Sequence, residues 1–76
     1  MKPETLTALE KAIAYAESKH GAMTDSPLEF SNILMEEAGE VAHAVNDFYW
    51  HGGNIEPVKH ELLQTAAVCI RILEVL

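Results

Sequence analysis

Cysteine, basic residues and long apolar runs are all scarce in this chain, which is long enough for a single domain, residues 1–76. Cys69 is the one cysteine, so the intrachain disulfide that often stabilises so short a chain is excluded. Twelve acidic residues against 5 lysines and arginines give a net charge of −7. This balance argues against binding to a nucleic acid polymer, which requires a positive surface.

The apolar runs are too short to suggest a membrane segment. The longest lies near the end of the chain, where Arg71 and Glu74 interrupt it. The N-terminal stretch MKPETLTALEKA lacks the long apolar segment of a signal peptide. We therefore expect no membrane association and a cytoplasmic protein, and a lone thiol at Cys69 also suits a reducing compartment.

Prolines and glycines divide the chain into three predicted helices. The first is expected from about Pro3 to His20, with Gly21 just past its end. The second begins at SPLE, a capping box with Pro27 at the first helical position. It should end near Tyr49, before the helix-breaking sequence WHGGN.

The third helix is predicted to start near Asn54 to Pro57, with Asn54 as its cap, and to run to the end of the chain. The residues expected on its inner face are Val58, Leu62, Thr65, Cys69, Ile72 and Leu76. Apolar residues also cover much of its opposite face, and three helices contain too little protein to bury both. We therefore expect an all-α, three-helix protomer whose helical bundle is completed by oligomerisation, as a homodimer or homotetramer.

Three glutamates interrupt the apolar stripe of the second helix. At 100° per residue this stripe is formed by Phe30, Leu34, Val41, Val45 and Phe48. Glu37 falls within the stripe, Glu40 lies at its edge, and Glu36 lies further round on the same flank. No lysine or arginine occurs between Lys19 and Lys59. Because an unpaired buried carboxylate is energetically costly, these acids require a partner or a solvated position.

Two interpretations are open for these glutamates. They form a solvated acidic flank, or pair with basic side chains of other helices; alternatively they bind a hard divalent cation such as Mg²⁺, which prefers oxygen ligands. Glu61 and then Gln64 lie at the edge of the third helix's inner face. If the second and third helices pack antiparallel, Glu40 and Glu61 face each other at similar distances from the connecting loop. The space between these two helices is therefore a candidate metal site.

The sequence EEAGE (residues 36–40) followed by ELLQ (residues 61–64) resembles the E-E-x-x-E and E-x-x-D pattern of the MazG-like, all-α nucleoside triphosphate pyrophosphohydrolases. The resemblance extends from SKHG (residues 18–21) into the third helix. It implies a helical dimer or tetramer that hydrolyses an NTP or dNTP to the monophosphate and pyrophosphate, using Mg²⁺ or alternatively Mn²⁺. The metal-binding positions carried over are Glu36, Glu37, Glu40, Glu61 and Gln64. The same resemblance makes Glu36 and Glu37 the candidate catalytic residues, which orient or deprotonate a water.

Gln64 stands where the family pattern has an aspartate. A neutral amide oxygen is a poorer Mg²⁺ ligand than a carboxylate. This departure leaves a second interpretation open: a catalytically weak or inactive helical-bundle protein that binds nucleotide or a protein partner.

The remaining candidates are less sharply defined by the sequence. Lys59 is a candidate phosphate contact, with Lys19 and Arg71 as further basic candidates. Asn46 and Trp50 are candidate substrate-binding residues, since an aromatic ring can stack on a base. For all of these residues, a surface charge or a packing role is the alternative.

Two Glu-x-x-His sequences suggest a different metal. Glu17 with His20, and Glu40 with His43, are spaced as in di-iron helical bundles, although Glu17 lies at a helix end. Cys69 is expected to be an inert, buried thiol.

Overall fold

Three helices make up the secondary structure of the computed structural model, which describes residues 1–23 and 26–76; no strand occurs in those ranges. Helix α1 is Pro3–His20, α2 is Pro27–His51 and α3 is Glu56–Val75. The expected all-α class is confirmed. No helix within the described ranges has both the length and the apolar character needed to cross a membrane.

The glycine and the capping box recognised in the sequence explain how α1 ends and how α2 begins. The Glu29 N–H donates to Ser26 Oγ at 3.4 Å, and the Ser26 N–H donates to Glu29 Oε2 at 3.2 Å. This capping box satisfies backbone donors that the first helical turn leaves free. Gly21 follows α1 with φ of 72° and Gly52 follows α2 with φ of 65°, conformations that a residue without a Cβ adopts at little cost.

The connection between α2 and α3 differs in detail from the prediction. Helix α2 continues to His51 instead of ending near Tyr49, because Gly52 is the first residue that breaks it. Helix α3 starts at Glu56. The N-cap position is Ile55, which makes no side-chain capping bond, so the prediction of Asn54 as the cap is off by one residue. Asn54 Oδ1 still accepts a hydrogen bond from the Glu56 N–H at 2.9 Å.

Helix α3 packs against both other helices, whereas α1 and α2 do not pack against each other within the described ranges. Phe30, early in α2, packs with Val68 and Ile72, late in α3, so these two helices are antiparallel as predicted. Arg71, late in α3, donates to the carbonyl oxygen of Gly21 at the end of α1. Helix α1 therefore runs parallel to α3 and leaves a cleft between itself and α2.

The core of the single chain is thin. Its buried apolar residues are Ala16, Phe30, Ala44, Val58, Ala67, Val68 and Ile72. Several residues predicted on inner faces are exposed instead: Val45, Phe48, Leu62, Cys69 and Leu76. The expectation of a buried Cys69 thiol is therefore wrong for the single chain. The reason is that α3 alone covers α2, so each helix buries a narrower stripe than a closed bundle would bury.

Candidate functional site

The carboxylates of Glu37, Glu40 and Glu61 meet where α2 crosses α3. One oxygen atom of each lies within 4.8 Å of the other two. Glu37 and Glu61 are half-buried, and Glu40 is exposed. The predicted approach of Glu40 to Glu61 is confirmed, and Glu37 joins them from the turn before Glu40. We call these three residues the carboxylate cluster.

The carboxylate cluster has the donor set and the unsatisfied atoms that a hard cation requires. Glu37 Oε2 and Glu61 Oε2 are buried and accept no hydrogen bond from the described part of the chain. No described lysine or arginine nitrogen lies within 4.0 Å of the cluster; the ion pair in these ranges joins Lys59 to Glu56. In octahedral Mg²⁺ coordination with bonds of about 2.1 Å, two ligand oxygens lie about 3.0 Å apart when cis and about 4.2 Å apart when trans. Movements of about 1 Å by each carboxylate oxygen would therefore bring the cluster into one coordination shell.

The shifted pKa values of the carboxylate cluster also favour a bound cation. Burial raises the pKa of Glu37, and the neighbouring carboxylates of Glu40, Glu61 and Glu36 raise it further. Burial also raises the pKa of Glu61, with a further contribution from Glu40, whose carboxylate can share a proton with it. His60 opposes both shifts, more weakly. The folded chain thus disfavours three full negative charges here unless a cation compensates them.

The carboxylate cluster lines a cleft of about 520 Å³ between α1 and α2, with α3 as its floor. The α1 wall of this cleft carries Lys11, Tyr15 and Lys19, and the Lys19 ammonium lies 5.8 Å from the centre of the Tyr15 ring. The cleft therefore has acids on one side and amines on the other. Sequence reasoning missed Lys11, although positions i, i+4 and i+8 share a helix face and the spacing to Lys19 was a usable signal.

A second cavity, of about 340 Å³, adjoins the cleft. Glu37 and Gln64 line both spaces. Beyond them the cavity is lined by Ile33, Val68 and Arg71, among others. We call this space the inner cavity; it connects the carboxylate cluster with the apolar interior near the end of α1.

Glu36 and Gln64, the other two predicted metal positions, lie beside the cluster. Glu36 is exposed and lies with Glu40 and Glu61 along a separate groove on the other side of α2. Gln64 is half-buried and lies between the cleft and the inner cavity. All five predicted positions therefore surround one crossing of α2 and α3, with three of them forming the cluster itself.

The predicted substrate-binding residues are not brought to the cleft. Lys59 lies on a groove between the N-terminal ends of α1 and α3. Asn46 is exposed, and its Nδ2 donates to the carbonyl oxygen of Ala42 at 2.9 Å. Trp50 is 71% exposed, and its ring lies edge-to-face with Tyr49 at 4.8 Å between centroids.

Arg71 and the histidines also have defined positions. Arg71 is buried, and its Nη2 donates to the Gly21 carbonyl oxygen at 2.6 Å, so this basic candidate ties α3 to the end of α1. Glu17, His20 and His43 do not join a metal-sized group in the described ranges. The residues whose spacing suggested a di-iron site therefore do not come together in the described ranges.

The geometry thus offers a carboxylate cluster, an amine-bearing wall and an inner cavity around one helix crossing. No protein-family model, no curated protein and no solved structure matches this chain.

Proposed function

We propose that this chain is a Mg²⁺-dependent nucleotide pyrophosphohydrolase of the MazG-like type, cleaving an NTP or dNTP to the monophosphate and pyrophosphate. The observation that carries the proposal is the convergence of Glu37, Glu40 and Glu61, with two buried oxygen atoms that accept no hydrogen bond from the described residues. The E-E-x-x-E and E-x-x-Q sequences supply the reaction type through their resemblance to that family.

Each acid has a proposed role in this reaction. Glu37, Glu40 and Glu61 would hold the ion, and Mg²⁺ or Mn²⁺ supplies charge screening and a lowered pKa for bound water when present. Glu36 or Glu37 orients the attacking water or takes up its proton. The water oxygen forms a bond to the α-phosphorus, the bond to the α–β bridging oxygen breaks, and pyrophosphate leaves with that electron pair.

The α1 wall of the cleft supplies the complementary charge. Lys11 and Lys19 face the same space as the cluster, and an ammonium group stabilises a phosphate oxygen by charge-assisted hydrogen bonding. We therefore propose these two lysines as phosphate contacts, in preference to Lys59, which lies on another groove. A chain of net charge −7 needs such local cations to hold a polyphosphate.

Oligomerisation is part of the proposal, as a homodimer or homotetramer. The radius of gyration is 13.3 Å, against about 11.4 Å for a compact domain of this length. On α3, Leu62, Cys69 and Leu73 follow one another along an exposed stripe. Leu73 is 66% exposed, and burying such a stripe against a second copy would complete the bundle.

A second candidate function is nucleotide binding without turnover. Gln64 favours it, because an amide in place of a carboxylate weakens the metal shell. Tight binding of a nucleotide with no release of pyrophosphate would select this candidate over the enzyme.

The test is pyrophosphate release from a panel of canonical and modified NTPs and dNTPs, with Mg²⁺ and with Mn²⁺. We expect turnover of at least one nucleotide, and a loss of about 100-fold or more in kcat/KM for Glu37→Gln. Glu10→Gln, which removes an exposed acid of α1 outside the cleft, is the matched control and should retain activity. Absence of turnover throughout the panel, or equal activity of the two variants, would refute the catalytic proposal.

A further inference from the structure

We propose that the inner cavity takes the nucleobase of the substrate and that Gln64 determines which base is preferred. This inference rests on the proposed function, since it assumes that the phosphates occupy the cleft beside the carboxylate cluster. It gives a role to the one residue that departs from the family pattern.

The cleft and the inner cavity are continuous. Glu37 and Gln64 line both the cleft and the inner cavity, so a ligand held at the cluster meets the opening of the cavity directly. A nucleotide has this shape, with a charged end and a planar uncharged end joined by a sugar. The exposed aromatic pair of Tyr49 and Trp50 lines neither space.

The size and the lining of the inner cavity suit a nucleobase. The inner cavity measures about 340 Å³, within the range of about 300–1,000 Å³ that small-molecule sites occupy. Met23, Ile33 and Val68 give it apolar walls that suit the faces of a heteroaromatic ring. Gln64, Arg71 and His20 add polar groups to the lining, and a few polar groups within a largely apolar pocket fix the orientation of a ligand.

The amide of Gln64 suits the recognition of a base. An amide presents both a donor and an acceptor, so it can distinguish the hydrogen-bonding edges of different bases, whereas a carboxylate only accepts when ionised. A site that hydrogen-bonds its ligand rejects analogues lacking the matching group more strongly than an apolar pocket does. Gln64 is thus better suited to reading a base than to completing a Mg²⁺ shell.

Arg71 acts here as a positioning residue. It is buried, and its bond to the Gly21 carbonyl oxygen joins α3 to the segment that follows α1. Met23, which lines the cavity, lies just beyond that bond. This hydrogen bond therefore holds in place the wall of the inner cavity that contains Met23, on the side that α3 does not cover.

The first experiment fills the cavity. Ile33→Phe adds volume to its wall, and Ile55→Phe makes the same change outside both spaces. Circular dichroism first establishes that both variants are folded. For Ile33→Phe we expect KM for nucleoside triphosphates to rise about tenfold, while inhibition by tripolyphosphate, which has no base, stays within about twofold of wild type. An unchanged KM, or an equal loss of nucleotide and tripolyphosphate binding, would overturn the assignment.

The second experiment removes the hydrogen-bonding amide of Gln64. Gln64→Leu replaces the polar amide with an apolar side chain of comparable size, and the measurement is the ratio of kcat/KM between the best and worst bases. We expect this ratio to fall by about tenfold, with little change for the worst base. A preserved ratio would overturn the role of Gln64.

A binding measurement does not depend on turnover. Titration of the wild-type protein with a non-hydrolysable nucleoside triphosphate and Mg²⁺ should shift the backbone amide resonances of Ile33 and Val68, and tripolyphosphate with Mg²⁺ should leave them unchanged. Shifts confined to the cleft would overturn the cavity assignment. If these shifts occur but no nucleotide is hydrolysed, only the catalytic proposal is contradicted. The two proposals can therefore fail independently.

Discussion

Glu40 on α2 and Glu61 on α3 face each other across the helix crossing, and each places a carboxylate oxygen within 4.8 Å of the other and of Glu37. Like charges at this distance disfavour the folded state unless a proton or a cation lies between them. The proximity of these carboxylates therefore links the stability of the protein to metal binding and to pH.

Magnesium should stabilise the protein through this cluster. At a concentration 100 times its dissociation constant, a ligand specific for the folded state adds about 2.7 kcal/mol, which raises Tm by roughly 10–20 °C in a domain of this size. Glu61→Gln should abolish that rise. Glu56→Gln removes an exposed acid of the same helix and should keep it. Thermal denaturation with and without Mg²⁺ measures the effect, and an equal rise in both variants would contradict the assignment.

Stability of the metal-free protein should fall as pH rises. Burial and neighbouring carboxylates raise the pKa of Glu37 and Glu61 above the ordinary value of 4.5. The folded state therefore binds protons more readily than the unfolded chain, and ∂ΔG/∂pH is negative between 4.5 and the raised values. Tm measured in chelator should be higher near pH 5 than at pH 7.

The control for this pH effect is the double variant Glu37→Gln, Glu61→Gln, in which the dependence should flatten. The two proteins differ only at these two side chains, so the difference between their profiles isolates the contribution of the two carboxyls. A wild-type profile parallel to that of the double variant would contradict the prediction.

Removal of the cleft lysines should weaken substrate binding. Lys11→Met and Lys19→Met should each raise KM by about fivefold to tenfold, because a charge-assisted contact with phosphate is lost, and should reduce the dependence of KM on salt. Lys2→Met, on the groove that Lys59 also lines, should change KM by less than about twofold. Steady-state kinetics at two salt concentrations distinguish these outcomes.

Arg71 should contribute more to stability than any exposed basic residue. Arg71→Met leaves the Gly21 carbonyl oxygen without its donor, which should cost about 1–3 kcal/mol in the free energy of unfolding. Lys59→Met removes an exposed ion pair with Glu56 and should cost less than about 1 kcal/mol. Urea denaturation measures both values, and similar values for the two variants would contradict a structural role for Arg71.

The exposed stripe of α3 should govern assembly. Leu73→Glu places a charge on a side chain that is 66% exposed in the single chain, so it should shift an oligomer towards monomer without direct loss of core packing. Leu6→Glu, a similar change on α1, is the control. Light scattering coupled to size-exclusion chromatography measures the mass. A wild-type monomer, or an unchanged oligomer in Leu73→Glu, would refute this interface.

Much of the fold could be predicted because its signals are local. The capping box at Ser26 and Glu29, and glycines at the ends of α1 and α2, act within a few residues of themselves. The meeting of Glu40 and Glu61 was also predictable, since a short connection between antiparallel helices sets their relative height.

Residues whose environment depends on packing between helices were harder to predict. The periodicity of α3 marks an apolar face but not which part of it another helix covers, and Leu62 and Cys69 are exposed although the pattern placed them inside. The sequence left Arg71 as a candidate phosphate contact or a surface charge, because its partner, the Gly21 carbonyl oxygen, lies far away in sequence. Lys11 lies opposite the carboxylate cluster because α1 packs beside α3, and the sequence alone does not show that packing.

The absence of packing between α1 and α2 within the described ranges has a mechanical consequence. Helix α1 is held along one side by α3 and is tied near its C-terminal end by Arg71. Within the described ranges, the distance between Lys11 and the acids opposite is therefore set through α3 alone. A substitution in the contact between α1 and α3 would change the width of the cleft, while the α2–α3 pair that positions the acids would stay intact.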